Sequence, residues 1–233
     1  MRVIILQPGR LGDILICLPI AKYYRDNGHQ VDWPVLEFYS NTFDNIDYVN
    51  PIKIQSDIFD VMTKCYSLCD GYDKVIDLSL GFPDSKVNTY HGNLNFASNF
   101  VEAKYKLAEV SLDERWNLSY IRNPEKENRL YETVVKDDVY SLIHDSASGG
   151  RLCAIEDSSV VRVVPVDGFN IFDWYEVAIK ANRIYCVDSS FCNFIESVSD
   201  FKDKDKYYLP IKHMGEVKDW GKTTLKNNWK IVS

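Results

Sequence analysis

The sequence predicts an α/β protein in two halves, each a parallel sheet with covering helices. Three observations carry this. Short apolar runs rich in β-branched residues, such as Val3-Ile4-Ile5-Leu6, have no polar interruption, the pattern of strands buried on both faces. They alternate with longer stretches of helical character, as a parallel sheet with crossover helices requires. The rhythm stops at a charged stretch with a breaker, Asn123-Pro124-Glu125-Lys126-Glu127-Asn128, and then restarts. That stretch is the linker candidate, and the domains are expected at 1–125 and 126–233, a common domain size.

Taken in order, the first strand runs into the turn Gln7-Pro8-Gly9-Arg10-Leu11-Gly12-Asp13, and Ile14 to Ala21 reads as a helix entering the core. Gly28 closes that helix as a C-cap. Val31 to Val35 is the second strand, and its Pro34 implies an edge or irregular position. Asn50 to Ile54 is the third strand, Asp57 to Cys69 a helix ended by Asp70-Gly71, and Lys74 to Ser79 the fourth strand. Residues 81–122 break the pattern. They mix amides, aromatics and cations, with an amphipathic helix expected over 96–110. In the second half, Val139 to His144 is a strand that runs into Asp145-Ser146-Ala147-Ser148-Gly149-Gly150-Arg151. Val160 to Pro165 is a strand and 167–170 a turn. Phe172 to Ala181 is a helix with Trp174, Val177 and Ala178 inward. Arg183 to Val187 is a strand that turns through Asp188-Ser189-Ser190 into a helix. The lysine-rich section 200–233 reads as surface, with Trp220 and Trp229 as anchors.

Composition narrows the function. The 233 residues are 45% hydrophobic and 26% charged, ordinary values for a globular protein. A net charge of −7 argues against a general electrostatic grip on nucleic acid. No apolar run reaches the ~20 residues of a membrane span, and the N-terminal run lacks the form of a signal peptide. A cytoplasmic location is expected, with the six cysteines reduced. Cys65 and Cys69 have no second pair at metal spacing, so no zinc site is expected. Asp203-Lys204-Asp205 has the spacing of a metal motif but lies in the lysine-rich run.

Three turns carry candidate chemistry. In the first, two glycines admit close approach of a bound group, and Asp13 falls in the first helical turn, where the helix dipole favours its ionised form. An ionised carboxylate there can accept a proton from a hydroxyl or simply cap the helix. In the second, the small residues after His144 end in Arg151, so backbone N–H groups and a guanidinium are offered to a diphosphate; a plain surface loop has the same composition. In the third, Asp188-Ser189-Ser190 opens a helix whose N-terminus attracts anions.

Arg10-Leu11-Gly12-Asp13-Ile14-Leu15, with Leu18-Pro19 following, resembles the opening of the family nine glycosyltransferases, the heptosyltransferase group. The resemblance implies the GT-B fold, two small Rossmann-like domains facing a central cleft. The first domain takes the acceptor and the second the nucleotide sugar, and the C-terminal tail of such enzymes often returns to the first domain. It also implies that Asp13 is the catalytic base. Gly12, His144, Ser146, Arg151, Asp188, Ser189 and Ser190 then fall with the donor site; Arg10, Lys86 and His91 fall with the acceptor. Arg151 stands where the family more often has Lys, Ser190 where glycine is usual, and Asn193 where histidine is frequent. The activity implied is inverting, metal-independent transfer of a sugar from a nucleotide-diphosphate donor to an acceptor hydroxyl, with no cofactor. A nucleotide-sugar hydrolase or epimerase, or a non-catalytic nucleotide-sugar-binding module, remains an alternative on the same fold. The acceptor class stays open, with a nucleic acid disfavoured by the charge.

Overall fold

The computed structural model describes residues 1–90, 100–147, 150–151, 159–209, 211–213, 216–218 and 225–232. The chain divides into two compact units, Met1–Ile121 and Arg122–Ser233.

In the first unit the elements are β1 (Arg2–Leu6), α1 (Leu11–Asp26), β2 (Gln30–Leu36), a 3-10 segment Glu37–Asn45, β3 (Asn50–Ile54), α2 (Val61–Ser67), β4 (Lys74–Asp77), α3 (Val87–Tyr90) and α4 (Phe100–Leu107). The four strands form one parallel sheet in the order β3-β2-β1-β4. β1 lies inside that sheet, and Val3, Ile4, Ile5 and Leu6 are wholly buried, as their unbroken apolar run demands. α1 is also buried along most of its length, from Asp13 to Ala21. It stops where Gly28 takes a φ of 80°, and the amides of Gly28 and His29 turn back to the carbonyls of Arg25 and Tyr24.

Two expectations for this unit are corrected. β2 is an interior strand despite Pro34. The amides of Gln30 and Leu36, on either side of it in the same alternation, donate to the Met1 and Pro8 carbonyls, so Pro34 faces β1 and its missing N–H interrupts the β1–β2 ladder, which stops at Ile4–Asp32. Beyond it the indole of Trp33 donates to the Gln7 carbonyl at 2.7 Å. The helix expected over 57–69 is limited to Val61–Ser67, because the Asp57 carboxylate accepts from the amides of Phe59 and Asp60 and forms a turn instead.

In the second unit the elements are α5 (Pro124–Val134), β5 (Ser141–His144), β6 (Ser146–Ala147), β7 (Gly150–Arg151), β8 (Val160–Arg162), a 3-10 turn Ile171–Trp174, α6 (Tyr175–Lys180), β9 (Arg183–Val187), α7 (Ser190–Ser197), β10 (Lys206–Leu209), β11 (Ile211–His213), β12 (Glu216–Lys218) and β13 (Trp229–Ile231). The main sheet is parallel, in the order β13-β10-β9-β5-β8. β6 pairs with β7 and β11 with β12, both antiparallel.

Two readings change here. The linker candidate is the start of α5, since Asn123 caps the helix by accepting from Lys126 N at 3.1 Å and Pro124 occupies its first turn. Asn-Pro is a breaker in a loop but a start signal at a helix N-terminus. The described end of the C-terminal tail is β13, an edge strand of the second sheet, fixed where the Trp229 indole donates to Glu196 at 2.7 Å. The lysine-rich run is not all surface. Lys206 is fully buried and donates to the Phe201 carbonyl at 2.8 Å. Trp220 lies outside the described residues.

Candidate active site

In the first sheet the chain leaves β1 towards β2 on one side and reaches β4 on the other, so the carboxyl ends of β1 and β4 form a topological switch point. The Gln7–Asp13 turn follows β1 and residues 78–86 follow β4. At Gly9 the turn comes close to its neighbours: a Cβ there would stand 3.1 Å from both Leu36 Cδ1 and Tyr39 Cε2, and those side chains would have to give way. Arg10 is the N-cap of α1 with φ 60°, an uncommon conformation for a non-glycine residue, and makes no side-chain cap. Its guanidinium donates to the Gly81 carbonyl at 3.2 Å and lies over the Phe82 ring. Gly12 is the second residue of α1.

Asp13 sits in the first turn of α1 and is buried, with 11% of its side chain exposed. Lys104 Nζ lies 3.7 Å from its Oδ1. That lysine is wholly buried. It donates to Gln7 Oε1 at 2.6 Å and to the Leu78 carbonyl, and its ammonium is 4.6 Å from the Phe100 ring centre. The three elements of the switch point therefore converge on one cation. Burial pushes the Asp13 carboxyl above the usual carboxylate range, while Lys104 and Arg10 pull it back. The result is a nearly enclosed carboxyl that holds a proton more readily than a free aspartate.

Asp77, at the end of β4, accepts from the Tyr66 hydroxyl of α2 at 2.7 Å and from the Ser79 amide and hydroxyl. The Lys86 amide donates to that tyrosine oxygen, and its ammonium lies 4.2 Å from the ring centre. His91 lies outside the described residues.

In the second unit β5 and β9 are neighbours with β8 on the far side of β5, so their carboxyl ends form the equivalent point of that sheet. His144 ends β5 and is in register with Cys186 of β9. Its ring centre is 5.7 Å from that of Phe191 in α7. Burial lowers its pKa to about 4, and Nδ1 has no partner among the described residues. Asp188 follows β9, and Ser189 caps α7 by accepting from Cys192 N at 3.2 Å. Ser190 is the first residue of α7. His144 and the Asp188–Ser190 turn are thus brought to one edge.

The stretch after His144 is not the open loop expected. Ser146 and Arg151 face each other across the β6–β7 hairpin, and Asp145 is ion-paired to Arg162. The Arg151 side chain lies outside the described atoms. Asp205, of the Asp203–Asp205 motif, is taken up by Lys230 at 2.5 Å and Tyr207 at 3.1 Å.

The whole chain superposes on solved glycosyltransferases. A family 9 glycosyl transferase from Veillonella parvula matches 90% of this chain and 80% of its own, with TM-score 0.57 and 10% identity. The E. coli ADP-heptose LPS heptosyltransferase II matches 100% and 90%, with TM-score 0.58 and 9% identity. The E. coli heptosyltransferase WaaC with ADP matches 99% and 92%, with TM-score 0.51 and 13% identity. The fold is GT-B, as in these structures. No family model matches the sequence, and none of the curated proteins compared with it is similar. Among the described residues no helix of this GT-B chain is long and apolar enough to cross a membrane.

The site holds residues that the sequence reading did not single out. In the sequence Lys104 is one cation among the mixed polar and aromatic residues of 81–122, and Gln7 is only part of the turn. Arg115, from the same group, is also wholly buried. Lys104 does carry a signal. Val101, Lys104, Tyr105 and Ala108 recur at i, i+3, i+4 and i+7, and all four are buried, so the lysine occupies an apolar-stripe position.

Proposed function

We propose that the protein is an inverting glycosyltransferase that uses a nucleotide-diphosphate sugar, with Asp13 as the base that activates the acceptor. The observation that carries this reading is the nearly enclosed Asp13 carboxylate beside Lys104 at the β1–β4 switch point. The GT-B fold supports it, as does the neighbour solved with ADP. Asp13 takes the proton of the acceptor hydroxyl while that oxygen bonds to the anomeric carbon. The bond from that carbon to the diphosphate oxygen breaks, and its electron pair leaves with the nucleotide diphosphate. In this reading the second unit binds the donor. Neutral His144 and the N-terminus of α7 offer hydrogen-bond donors to the departing diphosphate, with Ser146 and Arg151 from the hairpin beside them. Fixed donors of this kind take the role a cation would otherwise fill, so transfer is expected to survive chelators. Arg10 and Lys86 are assigned to the acceptor.

The test begins with a thermal-shift screen of nucleoside diphosphates and their sugars, since a bound ligand raises stability by mass action. Transfer is then followed as release of nucleoside diphosphate with a panel of hydroxyl acceptors. Asp13→Asn should keep nucleotide binding and lose transfer by about 10²–10⁴-fold, the contribution of a positioned base. Near-normal transfer by that variant overturns the assignment. Turnover of donor without any acceptor would point to a hydrolase or epimerase instead.

A further inference from the structure

Lys104 is unusual for its type, because a lysine is almost never fully buried unless its charge is matched. Its Nζ has three close oxygens of different kinds: the Gln7 amide oxygen at 2.6 Å, the Leu78 carbonyl, and the Asp13 carboxylate at 3.7 Å. The two neutral oxygens make the hydrogen bonds, and the carboxylate stands slightly further off. The lysine backbone is anchored as well. Tyr105, the next residue, donates to the Ile16 carbonyl of α1 at 2.9 Å, and Tyr24 of α1 donates to the Ala108 carbonyl at 2.7 Å. α4 is thereby fastened to the helix that carries Asp13.

We propose that Lys104 is the positioning residue of the site: held by Gln7 and Leu78, its ammonium keeps the Asp13 carboxylate charged and aimed between turnovers. The inference rests on the reading of Asp13 as base and adds its partner. The geometry fits both halves of a proton transfer. Before transfer, the ammonium balances a carboxylate that burial would otherwise neutralise. When the acceptor oxygen gives its proton to Asp13, the ion pair is lost, but Gln7 and Leu78 still solvate the ammonium. A buried cation without them would be left unsatisfied, a costly state. Asp13 then returns its proton to solvent through its exposed edge, and the pair is restored.

The other groups that face Asp13 are few. Arg10, at the start of α1, lowers its pKa alongside Lys104. Cys17, one turn further along α1, is pushed up to about 12 and is uncharged at working pH. Arg115 acts on Cys17 from the 3-10 turn Leu112–Trp116.

The test is a pH titration of the Asp13 carboxyl by infrared difference spectroscopy, with Asp13→Asn as the subtraction blank. In Lys104→Met the protonated-carboxyl band should persist to higher pH than in the wild type. Lys104→Arg, which keeps the charge, should move it back. Given a working transfer assay, the acid limb of the rate profile should shift the same way, with nucleoside-diphosphate binding unchanged. The same band position in Lys104→Met and wild type overturns the proposal. Should Lys104→Met fail to fold, the reciprocal measurement decides. The Cε resonance of Lys104 in ¹³C-lysine-labelled protein should change position at neutral pH between wild type and Asp13→Asn, and an unchanged resonance overturns the proposal. Failure of the base reading looks different: Asp13→Asn would transfer normally while the Lys104 coupling persisted.

Discussion

His144 should act as a buried, neutral imidazole that makes the protein sensitive to acid. The structure fixes the sign. Burial lowers its pKa from 6.5 to about 4, opposed by Asp145 next to it. The unfolded chain therefore binds a proton at His144 between those two values while the folded chain does not, and stability rises with pH across that window. At about 1.4 kcal/mol per pKa unit, the full difference is about 3 kcal/mol. It is fully present above the unfolded value and lost as pH falls towards 4. His144→Gln removes the titrating group and should flatten that part of the curve. Only four histidines occur in the chain, so the His144 ring resonance can be assigned by its absence in the variant. It should titrate near pH 4 in the free protein. The global curve comes from urea unfolding at a series of pH values, fitted for each transition because two units need not unfold together. Parallel stability curves for wild type and variant, or a ring that titrates near 6.5, would refute the argument. The same resonance reports on the donor site. If a nucleoside diphosphate binds at the carboxyl ends of β5 and β9, its negative charge should raise the His144 titration.

Two further substitutions test how the second unit is held. Glu196 is 1% exposed and accepts from the Trp229 indole and the Lys226 amide, each at 2.7 Å. Glu196→Ala should reduce stability by about 3 kcal/mol, the range for bonds to a charged group, and hydrogen exchange should show β13 losing protection before β5 and β9. Arg122 donates through Nε and Nη2 to Glu127, which is 1% exposed, and its guanidinium lies 3.5 Å from the Tyr175 ring centre. Arg122→Ala should cost roughly 2 kcal/mol, discounted for the partly exposed arginine. Arg122→Lys should recover only part of it by urea denaturation, because a point charge cannot fork across a carboxylate.

Much of the fold was legible because it depends on local pattern. The β-branched runs of β1 and β9 and the position of Gly28 each follow from one short stretch of chain. The errors arose where a local signal has two meanings. Pro34 reads as an edge or irregular position, and it is the irregular one: it sits inside the sheet, and its missing N–H interrupts the ladder on the β1 side. Asn123-Pro124 reads as a linker, yet the same pair is a cap and first turn. The stretch after His144 reads as a loop, yet its small residues also suit antiparallel pairing, and Ser146 and Ala147 pair with Arg151 and Gly150. Only for Pro34 did the deciding partner, β1, lie far away in the sequence; the other two were decided within a few residues.

The site shows the same division more sharply. Asp13 could be singled out because the turn that presents it is contiguous: strand, glycines, carboxylate, helix. Its partner could not be found that way. Lys104 and Gln7 are 97 positions apart, and only the packing of α4 on α1 brings them together. In a list of polar residues Lys104 resembles Lys106, two positions on. Helical phase separates them, since Lys104 shares a face with Val101, Tyr105 and Ala108 and therefore faces the core. A cation on an apolar stripe must meet an anion or several carbonyls, or its burial would be prohibitive. Asking which anion it could meet would have led to the carboxylate at the carboxyl end of β1. Charged residues at core phase thus point to a site through the demand they create for a partner, even when that partner is distant in the chain.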